Sequence, residues 1–118
     1  MDPPDGDVPA PASLNTITVT SRTGFSPNSV YTVTFNGGTS GTFSAVNTSG
    51  EPVGSGTFIY EPQGTQAHLR MTYPDFDNDY DDMTLIFTEA AGSGQPNNFT
   101  GTQVVSGDLH QFSGTFTY

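Results

Sequence analysis

The chain contains no cysteine, no tryptophan and no lysine. Without cysteine there is no disulfide framework, no thiolate nucleophile and no thiolate metal site. Its basic residues are Arg22 and Arg70 alone. Two cations cannot build the surface that a phosphate backbone requires, so nucleic acid is excluded as a partner. An anionic membrane surface would repel the chain as well. No apolar run approaches the ~20 residues of a membrane-crossing helix. No amphipathic helical period is present, and neither is a signal peptide. Met1 followed directly by Asp2, Pro3 and Pro4 fits a start codon placed before a mature exported chain.

What is present is acid, threonine and glycine. The 118 residues carry a net charge of −10, and they suffice for one domain with a real core. The charge is uneven. Asp2, Asp5 and Asp7 lie in a Pro-rich opening segment, and Asp75, Asp77, Asp79, Asp81 and Asp82 lie together. Between and beyond these groups, Glu51, Glu61, Glu89 and Asp108 face two arginines, so the body is nearly neutral. Residues 1–12 are too poor in apolar side chains to pack and are expected to form a disordered or extended tail or linker. Residues 13–118 are expected to form a single β domain. Eighteen threonines, many in Thr-x-Thr pairs, occupy the outward role that lysine and glutamate fill elsewhere. With few charges and abundant Ser, Gly and Asn, this composition points to an exported bacterial domain, periplasmic, cell-surface or secreted.

From Leu14 onward the hydrophobic period is two. It predicts an inward face made of Ile17, Val19, Tyr31, Val33, Phe35, Phe43, Phe58, Tyr60, Leu69, Met71, Met83, Leu85, Phe87, Phe112 and Phe116. Turn signals divide the runs at 24–28, 36–38, 49–52, 62–64 and 106–108, with a longer uncharged connection at 90–98. The motif Ser-Gly-Thr-Phe recurs at 40–43, 55–58 and 113–116. Its glycine is expected to admit a bulge or a close neighbour while its Phe packs inward. The fold class is all-β: about eight antiparallel strands in a meander, closed or nearly closed into an up-and-down barrel. The alternative, a two-sheet sandwich, requires a long crossing connection, for which 90–98 is the one candidate.

Residues 45–60, Ala45-Val46-Asn47-Thr48-Ser49-Gly50-Glu51-Pro52-Val53-Gly54-Ser55-Gly56-Thr57-Phe58-Ile59-Tyr60, resemble an avidin-type hairpin of the calycin barrels, the lipocalin and avidin group. The shared pattern is Asn-x-x-Gly followed by Gly-Thr and an aromatic. The resemblance implies a barrel and nothing about a ligand. The chain lacks the tryptophans that stack in a biotin site, and it lacks the Gly-x-Trp signature of lipocalins.

The acidic stretch is the densest candidate for chemistry. As a continuous strand it would put Asp75, Asp77, Asp79 and Asp81 on one face with Met83, Leu85 and Phe87. Neighbouring carboxylates about 7 Å apart repel by about 2.4 kcal/mol at an effective dielectric of about 20. An unpaired buried ladder is therefore excluded, and the stretch is expected to be either a solvated loop or a cation site. Asp75, Asp77 and Asp79 match the first ligand positions of a calcium loop, with Asp81 or Asp82 completing it. Tyr80 stands where an EF-hand needs glycine and Ile86 where it needs glutamate. Any Ca²⁺ site here is expected to be weak, about 10⁻⁴–10⁻³ M, as in extracellular modules.

The remaining candidates are sparse. His68 and His110 lack the spacing of a zinc site. No serine sits in a nucleophile elbow, and no carboxylate pair is singled out. Phe25, Phe76 and Tyr80 are the loop aromatics available to stack on a ligand such as a sugar. The expected function is a noncatalytic, monomeric binding or interaction module whose partner is a protein or a glycan, without membrane insertion. An apolar-ligand carrier of calycin type is the alternative, and a small β-barrel enzyme follows it.

Overall fold

Alternation of β-branched or aromatic residues with threonine and serine makes each run a two-faced strand, and eight such faces close on one another. A computed structural model describes residues 8–24, 30–74 and 79–118. Its strands are β1 (Thr16–Gly24), β2 (Tyr31–Asn36), β3 (Ser40–Asn47), β4 (Pro52–Gln63), β5 (Gln66–Tyr73), β6 (Asp79–Ile86), β7 (Asn97–Val105) and β8 (Asp108–Thr117). Each pairs antiparallel with the next, and β8 pairs with β1, giving a closed barrel in meander order. Closure leaves no sheet edge. The sandwich alternative falls because the long connection after β6 leads to β7, which pairs directly with β6.

Every residue expected on the inward face is buried, joined by Leu14, Ala45, Ala67 and Phe99. The Ser-Gly-Thr-Phe motifs account for the packing of so many aromatic rings in one lumen. Phe43 and Phe58 each stand opposite the other motif's glycine, in the pairs Gly41↔Phe58 and Phe43↔Gly56. The same reciprocal arrangement joins β7 and β8 through Phe99↔Gly114 and Gly101↔Phe112. A Cβ on Gly56 would lie 1.8 Å from the Thr72 carbonyl oxygen, and one on Gly114 2.1 Å from that of Ser21. Glycine here makes room both for a facing ring and for a neighbouring backbone.

The two ends of the barrel differ. At one end Leu14 is buried and Val8 and Ala10 pack on the core, although this segment was expected to belong to a free tail. The Ala10 amide donates to the Gly64 carbonyl at 2.8 Å, and the Tyr60 hydroxyl donates to the Pro11 carbonyl at 2.6 Å. Phe87 meets Phe116 and Tyr118 edge to face, and the Gly92 amide donates to the Tyr118 carbonyl. Buried Asn97 holds the connection by accepting from the amides of Thr88 and Glu89. This end is sealed.

Leu85 is fully buried, so Leu85→Ala should lower stability by about 2–5 kcal/mol in denaturant titration. Gly56→Ala should lower it by about 1–3 kcal/mol, because the added methyl must displace backbone rather than a mobile side chain.

Candidate functional site at the polar end of the barrel

The opposite end is built around a charge placed inside by a bulge. Along β1, Ile17 and Val19 point inward, so strict alternation would put Ser21 inside and Arg22 outside. The β1–β8 register shifts between Val19 and Ser21. Thr20 and Ser21 both face outward there, and both hydroxyls lie within hydrogen-bond distance of the Thr115 hydroxyl, at 2.7 and 2.9 Å. The extra residue rephases the strand, and Arg22 enters the barrel at 8% exposure.

Inside, the Arg22 guanidinium lies 4.0 Å from the centre of the Phe112 ring, a cation–π geometry. Its Nη1 donates to the Tyr31 hydroxyl at 2.9 Å and its Nη2 to Gln103 Oε1 at 3.3 Å. Nη1 is also 3.9 Å from Asp81 Oδ2. The Tyr73 hydroxyl donates to that same oxygen at 2.7 Å. Tyr73 reaches it because its ring packs against Gly54 and meets Phe43 edge to face. Asp81 is only 1% exposed, yet its Oδ1 has no hydrogen-bond partner among the described residues.

Burial is the dominant influence on these groups. It raises the Asp81 carboxyl above its usual value, against the lowering effects of the Tyr73 hydrogen bond and of Arg22. It pushes Tyr73 well up, helped by the neighbouring carboxylate. Tyr31 is raised as well, with Arg22 opposing. Neither hydroxyl is prepared to give up its proton near neutrality. Pairing places Asp81 beside Gln103 on β7 and Gln103 beside His110 on β8, so all three share an inward row at this mouth. Gln103, His110 and Tyr73 are half-buried.

The acidic stretch divides accordingly. Asp75, Asp77 and Phe76 lie outside the described residues, and so does Phe25. The expected loop ends earlier than its charge suggested: β6 already begins at Asp79. Asp79 accepts from the Ser106 amide at 3.0 Å, at the β7–β8 turn. Asp81 is inside the barrel. Asp82 is on the outer face, bonded to His68 and to Arg70, the latter at 3.2 Å. The structure thus does not gather Asp79, Asp81 and Asp82 around one point, and the described residues hold no cluster of three or more acids or histidines suited to a metal ion. Tyr80, expected as a loop aromatic, is a strand residue whose ring lies 4.3 Å from the Arg70 guanidinium. The pairing of Asp81 with Arg22 is what makes a buried aspartate tolerable.

Sequence reasoning found Tyr31 and expected it in the core, and it missed Arg22, Tyr73 and Gln103 as polar partners. One signal was available: Asp81 has the same parity as Met83, Leu85 and Phe87, and the chain has just two arginines to offer it. Comparison with protein-family models, with curated proteins and with solved structures found no match. The site is therefore read from its own geometry.

Because burial raises Asp81 in the folded state, its ionisation opposes folding. The stability it contributes is full below the unfolded carboxyl value and is lost as pH rises through the raised folded value. Asp81→Asn should match the native chain in melting temperature near pH 3 and exceed it at pH 7. A native chain more stable than the variant at pH 7 would mean that Arg22 outweighs burial.

Proposed function

We propose that this chain is a noncatalytic binding module of an exported or cell-surface protein, and that it recognises its partner with the barrel end that carries Arg22, Tyr31, Tyr73, Asp81, Gln103 and His110. The observation that carries this reading is the contrast between the two ends. One is closed by Leu14, Val8, Ala10 and Tyr118. The other concentrates the buried polar groups and keeps one carboxylate oxygen without a donor. A buried acceptor left unmade costs roughly 1–3 kcal/mol, and a bound partner that donates to it removes that cost.

Two rival readings are less well supported. A carrier of apolar ligands needs a cavity of a few hundred Å³, whereas phenylalanine, tyrosine, leucine and methionine side chains occupy the lumen along its length. An enzyme needs a base poised to accept a proton and a second group to act on. Here Asp81 is held between Tyr73 and Arg22, and both tyrosines keep their protons.

Small organic probes discriminate the readings. With isopropanol, dioxane and phenol titrated into the isotope-labelled chain, chemical-shift changes are expected to concentrate on Gln103, His110 and Tyr73. Changes centred on the methyl groups of Leu69 and Leu85 would instead mean an interior that opens to apolar ligands. Changes centred on Glu61 and His68 would move the binding surface to the outer face of β4 and β5.

A further inference from the structure

The polar end is specific about the kind of ligand that can complete it, an inference that rests on the binding-module reading above. Asp81 Oδ1 calls for a hydrogen-bond donor. A cation is the wrong donor, because the Arg22 guanidinium already lies 3.9 Å from the partner oxygen of the same carboxylate. A second positive charge at comparable distance would repel it strongly in this buried setting. An anion is disfavoured by Asp81 itself and by a chain of net charge −10, with Asp79 and Asp108 at the rim strands. The Arg22–Asp81 pair is neutral as a unit, and it suits a neutral ligand.

The neighbouring group narrows the choice. Gln103 Oε1 accepts from Arg22 Nη2. That bond fixes the amide so that its NH₂ group, a double donor, is turned away from the guanidinium. Gln103 stands directly beside Asp81 in the β6–β7 register, at the ~4.8 Å spacing of adjacent strands. An acceptor and a donor are thus held side by side at a half-buried mouth, next to the ring of Tyr73. A ligand with adjacent hydroxyl groups satisfies both, one hydroxyl donating to the carboxylate and its neighbour accepting from the amide. The apolar face of a sugar ring suits the aromatic edge.

We propose that the polar end of the barrel is a binding site for a neutral sugar unit of a glycan, with Asp81 Oδ1 accepting from one ring hydroxyl and the Gln103 amide donating to the next. His110, in the same inward row, borders the site on β8.

The test titrates the labelled full chain with methyl glycosides of glucose, galactose, mannose, xylose, fucose and N-acetylglucosamine into the high-millimolar range, and with methyl glucuronide as the charged comparison. Saturable shifts of the Gln103 side-chain amide, His110 and Tyr73 are expected with at least one neutral glycoside. Affinity should fall about tenfold or more in Gln103→Leu, as expected when a hydrogen bond is lost and its partner left unpaired. Asp81→Asn should weaken it too, with the unchanged amide spectrum elsewhere showing that the barrel is intact. The proposal is overturned if no neutral glycoside shifts these signals, if binding is unchanged in both variants, or if the glucuronide binds more tightly than glucoside. Organic probes that gather at this end while every sugar fails would overturn the sugar assignment and leave the binding end standing.

Discussion

The seam between β1 and β8 is the contact on which the rest of the structure depends. It joins residues from the two ends of the chain and converts a meander with two exposed edges into a closed surface. It also carries the bulge at Thr20, the irregularity that changes which side chains face inward. Below the bulge, β1 contributes Ile17 and Val19 to an apolar core. Beyond it, the same strand contributes Arg22. Closure and interior polarity therefore have a common origin, with Gly114 admitting the Ser21 carbonyl and the Arg22 backbone at the point where the strands meet.

A buried ion pair is costly to desolvate and is weak evidence for stability. Here the pair is loose, with a guanidinium that faces an aromatic ring and a carboxylate whose shorter contact is to a tyrosine hydroxyl. Replacing it by well-packed apolar residues would make a simpler end to the barrel. The sealed end shows what that looks like, with Phe87, Phe116 and Tyr118 against one another. The same scaffold thus carries two solutions to closing a lumen, one apolar and complete, the other polar and incomplete.

Much of this architecture was legible in the residues. The alternation of Tyr31, Val33 and Phe35 or of Ala67, Leu69 and Met71 has one physical meaning, and the turn residues between runs fixed the meander. The Ser-Gly-Thr-Phe spacing announced a close approach before any partner strand was known. The polar end was less legible because a bulge is a property of two strands. Thr20 and Ser21 carry no local mark of the shift, and Arg22 reads as an outward residue until β8 is laid beside it. Asp81 misled in the opposite way: its four acidic neighbours suggested solvent, while its parity with Met83 and Leu85 indicated burial. Phe99 was placed on a strand but left out of the core, since Gly101 after it interrupts the apolar alternation and only the facing Phe112 fills that gap.

The start of β1 and the end of β8 lie together at the sealed end, where residues 8–11 and Tyr118 also make their contacts. An up-and-down barrel with an even number of strands brings its two terminal strands out on the same side. Anything joined covalently to the domain through either strand is therefore attached at the sealed end. The polar mouth is then the face held farthest from the point of attachment, so a surface carrying this domain would present Gln103 and His110 outward. The direction of display is thus built into the strand count.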